Sequence, residues 1–320
     1  RTNLGWFAGV VAAAAAMFFI FNDRQGMDGR FIAENYHLYG WLSALGVIIF
    51  SYICIQSTWH YIPMLIERAS AKSDNLVRNI FATFNNPNFR YLVLLETAVG
   101  GLGGVLSALL MISFTYFWEL NTLQISVLFA GPPILAVILV AGSSHYMGKR
   151  LEKQQLLQFS CIIGALNLAW LTPLKLLGWL PQEAGIVFGL VFVNYAIFVT
   201  MTIMRTIATQ ALLADIADEH ELATGQRQEG VMFAAAFFAA KFCAGFGYLV
   251  AGPFLDIIGL EAGALPGETP ESVALGLGIV MGPGLALMLI VPIWMSLKLD
   301  ASLAGQLAVQ KALNERAKTT

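Results

Sequence analysis

Residues 185–208 read GIVFGLVFVNYAIFVTMTIMRTIA, and the first twenty of them, Gly185 to Met204, contain no charged side chain. About twenty mostly apolar residues in a helix, rising 1.5 Å each, cross the ~30 Å hydrocarbon core of a bilayer. The run lacks the period-two alternation of a membrane barrel strand, so it reads as a membrane helix. Working outward, similar runs fall near 4–21, 38–56, 91–118, 122–142, 156–180, 230–255 and 273–297. With the quoted stretch they predict eight transmembrane helices in an all-α, polytopic bundle.

Composition agrees. Of 320 residues, 58% are hydrophobic and 12% charged, with a mean hydropathy of +0.70. A soluble domain carries roughly twice that share of charge. This excludes a soluble enzyme and a disordered chain. The net charge of −2 offers no basic patch for nucleic acid. Cys54, Cys161 and Cys243 all sit in apolar runs without paired spacing, which suits buried thiols and gives no disulfide or metal site.

Orientation follows from Lys and Arg, which favour the cytoplasmic side of a membrane. With a cytoplasmic N-terminus, fourteen of the eighteen basic residues lie inside. Arg24, Arg30 and Lys175 lie outside, and Lys241 lies within a span. Both termini are therefore expected in the cytoplasm. Residues 60–90 mix Arg68, Lys72 and Arg78 with apolar residues, as a helix on the membrane surface does. They divide the chain into 1–59 with two helices, a linker 60–90, 91–298 with six helices, and a tail 299–320. The tail reads as a second surface helix or as a solvated extension. Two helices plus six is the expected remainder of a six-plus-six plan, common among secondary transporters, that lacks its first four.

The segment Ala214–Gly230 is the most unusual outside the membrane. Asp215, Asp218, Glu219, Glu221 and Glu229 face one basic residue, Arg227. Asp215, Asp218 and Glu219 have helical i, i+3 and i+4 spacing and share one face. The segment is either a solvated acidic loop or a latch pairing with basic helix ends; no ligand spacing for a metal recurs. Lys241 lies about eleven residues into its span, ~16 Å deep. A cation there costs about 2.5–3.5 kcal/mol. A carboxylate, a water-filled cavity, a substrate or helix-end carbonyls must offset it. Asn167 and Asn194 near mid-depth are interhelical bonds or cavity lining. Glu96 and Arg205, nearer the ends of their spans, are expected to reach interfacial water. Glycines at 100, 101, 103, 104, 245, 247 and 252 allow close helix contact. Pro132-Pro133 and Pro283 are expected to interrupt helices within the membrane. Trp59, Trp118, Trp179 and Trp294 read as interface anchors. Four histidines at span ends, with no HExxH, GxSxG or phosphate loop, give no support to catalysis.

Asp215 through Gly230, together with Phe238 to Lys241 and Gly245 to Tyr248, resemble the glycoside–pentoside–hexuronide:cation symporters of the major facilitator superfamily, the family of the melibiose permease. The resemblance implies helices five to twelve of a twelve-helix transporter moving a small organic solute, a sugar or glycoside, with Na⁺ or H⁺ by alternating access. It places Lys241 beside the central binding site, with Asn194, Asn167 and Phe237 as further substrate-contacting candidates. It puts Asp215, Asp218, Glu219, Glu221, Arg227 and Glu229 on a cytoplasmic gating loop. No cofactor is expected, and the coupling cation is expected on the early helices that this sequence lacks. A monomer in a bacterial inner membrane is implied, in contact with lipid and solute. Phe237 and Ala236 stand where the family's sugar carriers have polar residues. This leaves a lipid or amphiphile carrier of the same fold as an alternative. A third reading, a non-transporting membrane protein, predicts tight packing around Lys241.

Overall fold

The computed structural model describes residues 32–61, 83–225, 228–261, 263–265, 267 and 269–319, with a few positions among the first thirty-one. Every regular element among these is helical. Among the described residues, seven helices are long and apolar enough to cross a membrane. More than half of the expected first span, 4–21, falls outside the described residues, as do most of the 60–90 linker and Arg227.

The membrane helices are α1 (Ala33–Thr58), α2 (Pro87–Ile112), α3 (Thr122–Arg150), α4 (Lys153–Leu176), α5 (Ala184–Thr224), α6 (Glu229–Ile258) and the span α7 (Glu271–Lys298). A tail helix, α8 (Leu303–Thr319), follows. The starts follow ordinary chemistry. Pro87 opens α2 behind Asn86, whose side chain accepts from the Phe89 amide at 3.2 Å, satisfying an otherwise orphaned N–H. Asn121 and Gln124 form a reciprocal capping box at α3. Gly225 closes α5 at φ 73°, a left-handed conformation that glycine adopts without a Cβ clash.

Three expectations are corrected. Residues 215–224 are not a loop: α5 runs unbroken for 41 residues to Thr224. Their charges mark where the helix leaves the hydrocarbon, not where it ends. Pro132 and Pro133 do not interrupt α3, which passes through both. They are buried, so the carbonyls they leave without a partner face protein, where such gaps are tolerated. Trp118 is no interface anchor but a buried side chain. Pro283 does disturb its helix, which takes a π-helical turn over Val280–Gly284. The tail is a helix and not a solvated extension.

Helices α2 and α6 pack along one another, α5 lies between α3 and α4, and α7 touches both α2 and α4. Helices α2 and α5 meet only lightly. The α2–α6 seam is made of small residues. Gly100 and Gly104 lie against the backbone of Ala240 and Ala244, and Gly247 lies against that of Gly101 and Val105. Lipid tails are as apolar as leucine, so helices in a membrane associate by close packing of this kind. One core cluster, with Phe89, Leu157, Leu212 and Met232, closes the end of the bundle that carries Asp215. Another, with Phe117, Ile125, Leu171 and Leu277, closes the opposite end.

Candidate functional site

Lys241 is the thirteenth residue of α6, ~18 Å from its start. Ala240 and Ala244 are turned to the α2 seam, and a residue one step on is rotated by about 100°. Lys241 therefore leaves the seam and lies exposed. Its helical neighbours Phe237, Phe238 and Tyr248 are exposed as well, Phe238 by 71%. Ala234, Gly245 and Gly252 also share its side of α6 and are exposed, leaving a shallow track along the helix. The ammonium pairs with no carboxylate among the described residues.

The acidic segment is the second feature. Asp215, 8% exposed, receives two hydrogen bonds from the Lys153 ammonium, at 2.6 and 2.8 Å. The Gln306 side chain of α8 donates to the same carboxylate. The start of α4, the projecting part of α5 and the tail helix are thus tied at one point. Glu219 accepts from Asn86 and Asn88 at the start of α2, at 3.5 and 3.4 Å. Asn88 also exchanges hydrogen bonds with the Asp300 backbone, and Gln154 donates to the Leu299 carbonyl at 2.6 Å. Asp218, Glu221 and Glu229 are half-buried in the same region. His220 and Gln228, both buried, meet at 3.2 Å across the turn into α6.

Two polar contacts lie deeper. Asn167 donates to the Asn194 carbonyl at 2.9 Å, and Asn194 donates to the Asn167 carbonyl at 2.8 Å. Each amide satisfies the other's backbone, and together they clasp α4 to α5. Arg205 of α5 forms an ion pair with Glu96 of α2, both side chains only 13% exposed. Thr209 donates to the same Glu96 oxygen at 3.1 Å. Contrary to the expectation from their places near span ends, these two charges pair with each other and do not reach interfacial water. They bridge the lightly packed α2 and α5 instead. At the far end, the Lys175 ammonium donates to the Phe117 carbonyl and lies 4.9 Å and 5.1 Å from the Phe117 and Trp118 ring centres.

A family model described as "MFS/sugar transport protein" matches residues 1–301. The chain belongs to that family. Its match agrees with the resemblance to the melibiose-permease group, and no curated protein matches the chain. Members of the family are membrane transport proteins and not enzymes, so the polar groups above are read for what they bind and hold.

For this member of the family, the structure brings Asn167 to Asn194 and Asp215 to basic and amide partners on other helices. It does not bring Lys241 to any of them. Phe237 lies one turn before Lys241, at the edge of the seam, about 60° around the helix from Ala240. Reading the residues singly missed Lys153, Gln306 and the Glu96–Arg205 pair. A signal for the last existed: two opposite charges inside apolar runs, each at similar distance from the same membrane face.

Proposed function

We propose that the chain is a cation-coupled secondary transporter of a small organic solute, a sugar or glycoside, which works by alternating access with Na⁺ or H⁺. The observation that carries this reading is Lys241, an ammonium near mid-membrane that is exposed and faces away from its own helix seam. An intramembrane cation with no counter-charge is unfavourable unless it borders water or a ligand. On this reading the side of α6 carrying Lys241, with Phe237, borders the solute path, and Asn167 and Asn194 support it from α4 and α5. The Asp215–Lys153–Gln306 contact and the Glu219 contacts act as a latch at the cytoplasmic end. Asp218, Glu221, Arg227 and Glu229 belong to the same gate. The protein works as a monomer in a bacterial inner membrane with both termini in the cytoplasm.

The test is Lys241→Ala in the full-length protein, assayed by uptake of a radiolabelled glycoside. Coupled uptake is lost while insertion and expression stay at the native level. Native uptake in that variant overturns the reading.

One observation favours a second solute class. Lys241 is flanked by exposed Phe237, Phe238 and Tyr248, an apolar border suited to an amphiphile with a polar head on the ammonium. Competition by a lysophospholipid, with none by glycosides, selects the amphiphile carrier.

A further inference from the structure

Thr172 of α4 is 8% exposed, and its Oγ1 has no hydrogen-bond partner. Among the described residues no other buried side-chain nitrogen or oxygen is left in that condition. A threonine in a helix has an acceptor at hand in the carbonyl four residues earlier. Thr97, Thr200 and Thr206 of this chain use it, at 2.7, 2.7 and 2.8 Å. The Thr172 hydroxyl does not use the Leu168 carbonyl and is turned to α7 instead. There it touches Gly282, where an added Cβ would collide with Oγ1. An unpaired hydroxyl in a dry interior is unfavourable, so its presence points to a partner met in another arrangement of the chain.

Gly282 lies in the π-helical turn Val280–Gly284 of α7. In α geometry the Ile279 carbonyl would bond to the N–H of residue 283, which is a proline and has none. The π turn reaches one residue further, so that Gly284 serves Ile279 and Leu285 serves Val280. When such a turn unwinds to α geometry, the Ile279 carbonyl is left bare. Gly282 stands three residues beyond Ile279 on the same face of the helix, and the hydroxyl that touches Gly282 is the donor placed to take that carbonyl. Threonine side chains satisfy carbonyls freed by proline in other membrane helices. Beyond the turn, Gly276 meets Ile258, and Gly278 meets Phe117 and Leu176. At these contacts α7 presents no side chain to interlock with its neighbours.

We propose that Val280–Gly284 is a hinge with two hydrogen-bonded settings and that Thr172 is its catch. In the setting seen here, Gly284 holds the Ile279 carbonyl and the Thr172 hydroxyl waits. In the other, the turn is α-helical and Thr172 donates to Ile279. The change turns the segment Glu271–Ile279, whose Val273 and Leu277 belong to the cluster at the end away from Asp215, against the rest of α7. The proposal deepens the transport reading above and rests on it, because alternating access requires at least two arrangements of the helices. Thr172 is a positioning residue that need not touch the solute.

The test measures the distance between spin labels on Glu271→Cys and Leu177→Cys, both exposed, in full-length protein with Cys54, Cys161 and Cys243 replaced by alanine. Two distance populations are expected. Thr172→Val keeps the shape of the side chain and removes the hydroxyl. It raises the melting temperature and lowers the second population about tenfold, as loss of one interhelical hydrogen bond in a membrane implies. Thr172→Ser keeps both populations. Pro283→Ala supplies the missing N–H, enlarges the second population, and makes Thr172→Val without effect in that background. A single distance in the native protein, an unchanged distribution or a lower melting temperature in Thr172→Val, or an equal effect of Thr172→Val with and without Pro283 each overturns the hinge. Uptake of methyl glucoside into proteoliposomes separates the two readings. Distances that switch as expected with no uptake overturn transport of this solute class and leave the hinge. Native uptake in Thr172→Val, with its second population lost, overturns the hinge as part of the cycle and leaves transport.

Discussion

Gly104 of α2 lies so close to Ala244 of α6 that a Cβ added to the glycine meets the Ala244 carbonyl oxygen at 2.1 Å. Gly100 stands in the same relation to Ala240, at 2.2 Å. The obstacle is backbone in both cases, so no rotamer change relieves it.

Gly104→Ala therefore forces the two helices apart. Overpacking of this kind costs about 1–3 kcal/mol. The expected result is a lower melting temperature in detergent, with a larger drop for Gly104→Leu. Gly103→Ala, where nothing lies within 4 Å, is the matched control and leaves the melting temperature unchanged. Equal melting temperatures for all three variants contradict the seam.

Asp215→Asn removes the charge that holds Lys153 and Gln306. A hydrogen bond to a charged group is worth about 1.5–3 kcal/mol, and the 43% exposure of Lys153 places this one at the low end. A loss of about 1.4 kcal/mol is a factor of ten in an equilibrium. Trypsin cleavage after Lys311 and Arg316, both exposed on α8, is expected to run roughly tenfold faster in the variant. Gln306→Ala reproduces part of that gain. Cleavage at the native rate in both variants shows that the tail helix is held by other contacts.

Asn167 and Asn194 form a closed pair, so their substitutions are not independent. Interhelical polar contacts in membranes contribute about 0.6–2 kcal/mol. Asn167→Ala and Asn194→Ala are each expected to destabilise by about that amount, and the double variant by little more than either one alone. Additive losses in the cycle mean that the two amides do not depend on one another.

Lys175→Met keeps the length of the side chain and discards its charge. The aromatic contacts with Phe117 and Trp118 are worth about 0.5–2 kcal/mol in all, and the Phe117 carbonyl loses its donor. A melting temperature lowered by a few degrees is expected, with solute uptake intact, because this end lies far from Lys241. Loss of uptake without loss of stability assigns Lys175 to the transport path instead.

The positions of the membrane helices were legible because hydropathy reports depth directly. The same property hid the length of α5. Once Asp215 and its neighbours ended the apolar run, the pattern marked the end of the hydrocarbon, and only the i, i+3, i+4 spacing of the acids hinted that the helix continued. The glycines of the α2–α6 seam were legible as small residues, but which helix they met was not. Glu96 and Arg205 were placed in interfacial water because depth was counted without direction. Whether a side chain faces lipid, a neighbour or a groove is an angle around the helix, and it is settled by packing between segments 109 residues apart. Trp118 failed for the same reason. Lys241 was readable as a cation in the membrane, and its exposure on the side of α6 away from the seam is a property of the fold.

Helix α5 has 41 residues, which makes it ~60 Å long, about twice the ~30 Å thickness of the hydrocarbon. Arg205 lies in its middle, and Asp215 and Glu219 lie on the part that projects. A rigid rod pivoting near its centre magnifies small rotations at its tip. Ten degrees of tilt sweeps the end of a ~30 Å arm by about 5 Å, more than the reach of any hydrogen bond. Asp215, ten residues past Arg205 and so ~15 Å along that arm, moves about half as far, which stretches its contact with Lys153; on the transport reading proposed above, leverage alone couples solute arrival to the latch, with no relay of side chains in between.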